Sequence, residues 1–360
     1  MNRNNSIVIT DLLLFIFIVI LSLVGLAVLY SATNQNLDII SRQSYRLLFC
    51  FILMLSICFI DINKLKIYTP YIYIVTILLL FFTVFWGHDS KGATRWLNLF
   101  GFSFQVSEIL KIILPMTLSW YLSISDDKEI DIKKLLFSLI IIFLPILFIL
   151  KQPDLGTSLI ILICGLITLF LSGLKTKHIS FIVISLLTIA PLFWKYLLLP
   201  YQKQRILTLI NPGSDPLGSG YHIIQSKIAV GSGGFFGKGF LNGTQSQLEF
   251  LPERGTDFIF AVFAEEFGFL GIIILLLLYS LIIFSFILIT LRAKSYFAKI
   301  LSGSITSIFI LLIVTNILMA IGILPVVGVT LPLLSLGGSS LLSIFFAFGI
   351  MFSISRSRRS

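Results

Sequence analysis

Ten stretches of mostly apolar residues recur along this chain, near 10–31, 45–61, 68–86, 105–124, 134–150, 155–173, 178–199, 257–290, 300–322 and 328–354. A bilayer-spanning helix takes about 20 such residues. Within lipid a spanning segment must satisfy its own backbone polar groups, which leaves helices or closed barrels. Runs of this length predict an all-α, polytopic membrane bundle of about ten transmembrane helices. Composition agrees. Hydrophobic residues make up 57% and charged residues 12%, against roughly 25% charged in a soluble domain, too few to cover a soluble globule. The first stretch lacks an A-x-A-like cleavage site before Ser31 and Ala32, so it reads as a retained helix rather than a signal peptide.

A formal charge of +10 raises nucleic acid as a partner, but Lys and Arg are scattered through short loops instead of forming one stripe. Topology explains them. With the N-terminus inside, fourteen Lys and Arg fall on the cytoplasmic side: Arg3, Lys64, Lys66, Lys128, Lys133, Lys134, Lys175, Lys177, Arg292, Lys294, Lys299, Arg356, Arg358 and Arg359. Five fall in short outer loops, at Arg42, Arg46, Lys91, Arg95 and Lys151. Cytoplasmic loops carry the excess of Lys and Arg, which predicts both termini in the cytoplasm. Cys50, Cys58 and Cys164 all fall inside predicted helices, so they imply packed thiols and no disulfide framework.

Most connections are short, and the chain reads as one integral membrane domain, 1–360. Two outer segments break that economy, Gly87–Phe104 and a large loop of about 200–256 between helices 7 and 8. Long loops in compact proteins are usually functional or disordered, which directs the search for function outward. No solenoid repeat is visible, nor the inverted repeat common in transporters.

Several polar groups stand out. Glu108 and Lys111, three apart on one face of the fourth helix, are either a self-neutralising pair or the wall of a polar cavity. Intramembrane charge is costly and usually faces a pathway, a cavity or another charge. Asp154 precedes the sixth helix, where a carboxylate serves equally as a cap or as part of a site. The run Gly231–Gly239 resembles a phosphate loop but has Ser232 and Gly239 where that motif needs Gly and Ser or Thr, so it reads as a flexible or close-packed loop. The densest polar run, 243–257, contains Glu253 and Arg254 and leads into an apolar helix, with Asp257 predicted in its first turn. Glu265 lies on the same helical face roughly 12 Å deeper, and Glu266 follows it. Finally, Pro325, Gly328, Pro332, Gly337 and Gly338 crowd the connection into the last helix. Such backbone at membrane depth lines a cavity or is buried in protein; a simple hairpin with a kinked helix is the plain alternative.

The strings TQSQLEFLPERGTDFIFAVFAEE (244–266), GILPVVGVTLPLLSLGGSS (322–340), KQPDLGTS (151–158) and ATRWLNLFGFSFQVSEILK (93–111) together resemble the SEDS family of cell-wall proteins, and TQSQLEFLPER resembles its RodA, rod shape-determining, branch. The resemblance runs over nearly the whole chain. It implies a peptidoglycan glycosyltransferase of the bacterial inner membrane that polymerises lipid II, the undecaprenyl-pyrophosphate disaccharide-pentapeptide. It implies a class B penicillin-binding protein as transpeptidase partner and other elongation-complex membrane proteins around it, with no nucleic acid. By motif position Asp257 matches the family's essential acid, Glu108, Lys111 and Asp154 match other important positions, and Arg95 matches the Arg of a GxxRW segment. Two positions depart from the family pattern: Val106 stands where Pro is usual before the fourth helix, and Leu336 where Tyr is usual near the end.

From these residues the expected chemistry has Asp257 as general base. Glu108, Lys111, Asp154, Arg95, Arg205, Glu253, Arg254 and Glu265 meet the substrate, and Lys111, Arg95 or Arg205 stabilises the leaving pyrophosphate. A divalent cation could share that last task, although no ligand cluster in the sequence demands one. The rivals are a flippase for lipid II and a non-catalytic scaffold for the transpeptidase. The first needs access from both faces; the second leaves the intramembrane charges without a purpose.

Overall fold

A computed structural model describes residues 3–90, 93–99, 102–124, 131–196, 198–215, 218–248, 250–251 and 253–357. Lys91, Lys128, Glu249, Pro252, Arg358 and Arg359, which entered the reading above, lie outside them. Among the described residues eight helices are long and apolar enough to cross a membrane. These are α1 (Arg3–Ala32), α2 (Leu37–Cys58), α3 (Ile62–Trp86), α5 (Ile132–Lys151), α7 (Thr176–Tyr196), α11 (Ile259–Leu291), α12 (Tyr296–Ala320) and α13 (Ser339–Arg356). The remaining two predicted positions are filled by α4 (Val106–Leu122) and α6 (Leu155–Leu171), 17 residues each. The polytopic helical bundle therefore holds. Side-chain caps mark many of the starts: Asn36 for α2, Asp61 for α3, Asp131 for α5, Asp154 for α6 and Ser295 for α12 each accept a backbone N–H of the first turn. Cys50, Cys58 and Cys164 lie within α2 and α6 as thiols, none of them in a disulfide.

Hydrogen bonds between helix ends define two faces. On one, Lys66 reaches the Ser123 carbonyl after α4, Tyr296 reaches the Ser172 carbonyl after α6, and Arg356 reaches the Phe59 carbonyl after α2. On the other, Ser339 at the start of α13 accepts the Gln105 N–H at the start of α4. Between the faces, edge-on rings of Phe286, Phe309 and Phe348, with centroids 5.6 Å apart, bind α11, α12 and α13 together.

The structure differs from the sequence expectation at four places. The outer segment before α4 folds into a small antiparallel sheet, β1 (His88–Ser90), β2 (Ala93–Leu99) and β3 (Phe102–Phe104). Leu97 is buried beneath it and Asn98 pairs across to Ser103. The large loop between α7 and α11 contains α8 (Pro200–Ile210), α9 (Ser219–Ser232) and a single turn, α10 (Thr244–Gln247). The last helix starts at Ser339, not near 328. Pro325 and Pro332 have no N–H to give a helix, and Gly322 and Gly328 adopt φ of +71° and +73°, so 322–338 is an irregular excursion. It dips into the bundle, because a Cβ on Gly25 would stand 2.2 Å from the Leu333 carbonyl oxygen, seven residues or about 10 Å below the end of α1.

The fourth difference is a break in α11 at Gly268, φ +64° and ψ −164°. The Gly-rich loop after α9 docks there. The N–H groups of Lys238 and Gly239 donate to the carbonyls of Glu265 and Glu266, while those of Phe269 and Leu270 donate to the carbonyls of Gly234 and Phe235. The glycines are needed for close approach: a Cβ on Gly237 would lie 2.1 Å from the Glu266 carbonyl oxygen. Of the two readings of that run, the close-packed loop is the one observed.

Gly268→Ala is therefore expected to cost about 1–3 kcal/mol or more, because its Cβ would also meet the Gly237 nitrogen at 2.2 Å. Gly231→Ala, whose Cβ would meet nothing within 4 Å, is expected to be neutral or to stabilise by up to about 1 kcal/mol. Thermal melts of the two purified variants check this, and equal melting temperatures would contradict the docked loop.

Candidate active site

On the face where α4 and α13 begin, a cavity of about 140 Å³ opens between β2, the start of α6, α8 and the 322–338 excursion. Arg95, Asp154, Tyr201, Arg205, Val326 and Val327 line it. Asp154 caps α6 with one oxygen on the Thr157 N–H at 3.1 Å and the other on the Thr157 hydroxyl at 2.9 Å. The same carboxylate lies 3.4 Å from Arg95 Nε, so its capping and site roles coincide. Arg95 also donates to the Pro153 carbonyl at 3.0 Å, an oxygen that Tyr201 shares at 2.7 Å. Arg205 donates to the Val326 carbonyl at 3.2 Å. Two guanidiniums against one carboxylate leave the lining with an excess positive charge, and the planar fork of Arg suits phosphate oxygens.

Asp257 lies against another part of the same excursion. It is half-buried and ends the turn that precedes α11 instead of sitting in the helix's first turn. The turn is tight: Glu253, at φ +54°, accepts the N–H groups of Thr256 and Phe258 on its carbonyl and the Thr256 hydroxyl on its carboxylate at 3.0 Å. The Asp257 carboxylate approaches the excursion at Gly328, where a Cβ would stand 3.9 Å from Oδ2. At the cavity, a Cβ on Gly156 would meet the Val327 carbonyl oxygen at 2.7 Å. Residues 325–329 thus form a wall shared by the arginine-lined cavity, which Pro325, Val326 and Val327 line, and the surroundings of Asp257, which Gly328 and Val329 approach.

The other predicted site residues fall elsewhere. Glu108 and Lys111 lie 2.6 Å apart in a buried ion pair. Lys111 faces a void of about 10 Å³ among Phe286, Phe309 and Phe348, so the cations at the outer cavity are Arg95 and Arg205, not Lys111. Glu265 is fully buried and held by the fold. Its carboxylate takes Lys238 Nζ at 2.7 Å, the Thr244 hydroxyl at 3.0 Å and the Gln245 N–H at 3.0 Å, fastening α10 to α11. That correction follows from the break at Gly268, which turns the residues before it toward the outer loop. Glu266 accepts from the Ser31 hydroxyl at the end of α1. Arg254 donates to the Ser246 carbonyl, and Glu253 is exposed at the mouth. The departure at Val106 does not open the start of α4, since the side chain is buried and the helix begins there.

Sequence reasoning passed over Tyr201 and Asn316. Asn316 Nδ2 donates to the Asp257 carbonyl at 3.0 Å and to the Val329 carbonyl at 2.6 Å. A lone amide in a mostly apolar helix is a signal in its own right, since buried polar groups need partners. Among the described residues no three His, Cys, Asp or Glu side chains gather to hold a metal.

A family model for cell cycle proteins, covering FtsW, RodA and SpoVE, matches residues 3–360. Peptidoglycan glycosyltransferase MrdB of Escherichia coli (strain K12) is 45% identical over 332 residues, which cover 92% of this chain and 90% of that protein. Among solved structures, a chain from a peptidoglycan synthase complex that coordinates polymerization and crosslinking superposes with a TM-score of 0.83 at 29% identity, covering 96% of this chain and 97% of that one. A variant of the rod shape-determining protein RodA of Thermus thermophilus superposes with a TM-score of 0.74 at 25% identity over 96% of this chain and 97% of that one.

Removing one partner of a buried ion pair strands the other charge. Glu108→Gln is expected to destabilise the protein by about 3–5 kcal/mol, whereas Glu108→Gln combined with Lys111→Met recovers most of that loss. A double-mutant cycle on thermal melts measures the coupling, and additive losses would show the pair to be incidental.

Proposed function

The chain belongs to the SEDS family of FtsW, RodA and SpoVE and is a peptidoglycan glycosyltransferase of its RodA branch; we propose that it joins lipid II units at its outer face, with Asp257 as general base. The observation that carries this reading is a carboxylate and a two-arginine cavity that share one wall, Pro325–Val329. A polymerase of lipid-linked sugars needs both elements, a base for the incoming hydroxyl and cations for the departing pyrophosphate. In the proposed step Asp257 takes the proton of the acceptor sugar's 4-hydroxyl. Its oxygen attacks the donor's anomeric carbon, the bond from that carbon to the pyrophosphate oxygen breaks, and a β-1,4 link forms with inversion. The departing pyrophosphate carries the electron pair away toward Arg95 and Arg205, where charges fixed in advance stabilise it at little reorganisation cost.

Asp154 holds Arg95 in place through the 3.4 Å contact. Glu253 and Arg254 shape the turn that presents Asp257. Glu108 and Lys111 support the floor of the bundle, their charges spent on one another. A divalent cation, if the pyrophosphate brings one, would rest chiefly on the substrate's own oxygens with Asp154 as its nearest carboxylate, as Mg²⁺ commonly does with phosphates. The charge count over the loops supports cytoplasmic termini in the bacterial inner membrane, which sets this end of the bundle outside the cell. The synthase complex to which the chain is similar supports a class B penicillin-binding protein as partner. Scaffolding of that partner is compatible with catalysis. A flippase would need polar access from both faces, and the cavity described opens at one.

Asp257→Asn is expected to lower polymerisation of fluorescent lipid II by at least about 10²-fold, read on gels, while the protein still assembles with its transpeptidase. Arg205→Ala is expected to lower kcat by about 10²-fold. Polymer from the Asp257→Asn variant at the normal rate would remove this residue from the chemistry.

A further inference from the structure

We infer that Asn316 is a positioning residue for the glycosyl transfer, and that Ser335 assists it by holding the turn before α11 against the 322–338 excursion. The inference rests on the reading of Asp257 as the base.

Asn316 is fully buried near the outer end of α12. Its two amide hydrogens are both used on backbone carbonyls, that of Asp257 at 3.0 Å and that of Val329 at 2.6 Å. Two acceptors at those distances fix which end of the amide is nitrogen, because an oxygen there would face two other oxygens. Its Oδ1 has no hydrogen-bond partner among the described residues. Buried polar atoms are rarely left so, and this amide spends both donors on one join while its acceptor goes unpaired. The join is between the residue that carries the base and the end of the wall whose first three residues line the arginine cavity.

Ser335 makes the second tie. Its hydroxyl donates to the Thr256 carbonyl at 2.6 Å and accepts the Leu331 N–H at 2.8 Å. The Leu336 N–H adds a third, to the Gly255 carbonyl at 2.7 Å, a bond independent of the side chain at 336. Three consecutive carbonyls, of Gly255, Thr256 and Asp257, are therefore held by the excursion or by the amide that grips it. At the far end of the wall, Arg205 holds the Val326 carbonyl. Residues 326–329 connect the leaving-group cation to the base through backbone of fixed length, with Asn316 as the clamp on the base side. Small errors in such placement are costly, since a shift of about 1 Å can lose about 10²-fold in rate.

A clamp of this kind acts on the transition state through geometry, so its loss should appear in kcat and leave KM nearly unchanged. The test is steady-state polymerisation of fluorescent lipid II by the full chain with its transpeptidase partner, comparing Asn316→Leu, Ser335→Ala and the inactive-base control Asp257→Asn. Asn316→Leu keeps the volume and removes both donors. It is expected to lower kcat by about tenfold or more with KM within about twofold, and Ser335→Ala is expected to lower kcat less, again with KM held. Thermal melts of each variant separate loss of folded protein from loss of rate. If Asn316→Leu does not fold, Ser335→Ala decides alone. Unchanged kcat in the folded variants, or a loss confined to KM, overturns the inference while an inactive Asp257→Asn leaves the reading of the base standing. An active Asp257→Asn overturns that reading itself.

Discussion

A backbone N–H or C=O at membrane depth has no water to turn to, and each one left unpaired costs several kcal/mol by most estimates. Continuous helices meet this demand alone, and most of the bundle consists of them. The chain departs from that solution twice, at the Gly268 break in α11 and along the 322–338 excursion, and at both places other residues take over the abandoned hydrogen bonds. At Gly268 the docked loop exchanges four backbone bonds with the helix. Along the excursion Asn316, Ser335 and Tyr279 reach the carbonyls of Val329, Thr256 and Pro332. The broken backbone is thus tied at several points to the helices and turns around it.

What this achieves is rigidity around the proposed site. A loop on a membrane surface would leave Asp257 mobile relative to Arg95 and Arg205. Here the turn bearing Asp257, the wall of 325–329 and the start of α6 are pressed together at distances only glycine allows, as at Gly156 against Val327. Sites built on rigid elements hold geometry better than sites on loops. This one reaches comparable fixity by burying irregular backbone within a helical bundle. Charge is handled in the same way. Glu265 serves the join between α10 and α11 through Lys238, Thr244 and Gln245, and Glu108 is neutralised by Lys111. The excess positive charge of the outer cavity belongs to Arg95 and Arg205.

Legibility in the sequence followed the length of the signal. Apolar runs of some twenty residues are hard to mistake, and the ten predicted spans each contain a helix. Asp257 was legible because it ends a long polar string at a helix entrance. The small sheet was missed because strands of three and seven residues barely register a period, and Arg95 gained its place in the cavity through that sheet. The break at Gly268 was missed since glycine is common in membrane helices and its φ is not written in the local string. Glu265 looked like a site residue because an intramembrane acid usually is one; its partners come from a loop about twenty residues away. Asn316 is a single letter whose two acceptors lie 59 and 13 residues distant, and only the fold brings them together.

The most direct measurement is a cryo-electron microscopy structure of the Asp257→Asn protein with its transpeptidase and two bound lipid II molecules. The account predicts an acceptor 4-hydroxyl within about 3.2 Å of the side chain at position 257, the donor pyrophosphate against Arg95 and Arg205, and both sugars seated over residues 325–329. A pyrophosphate seated away from both arginines, or a side chain at 257 that faces no sugar hydroxyl, would contradict it.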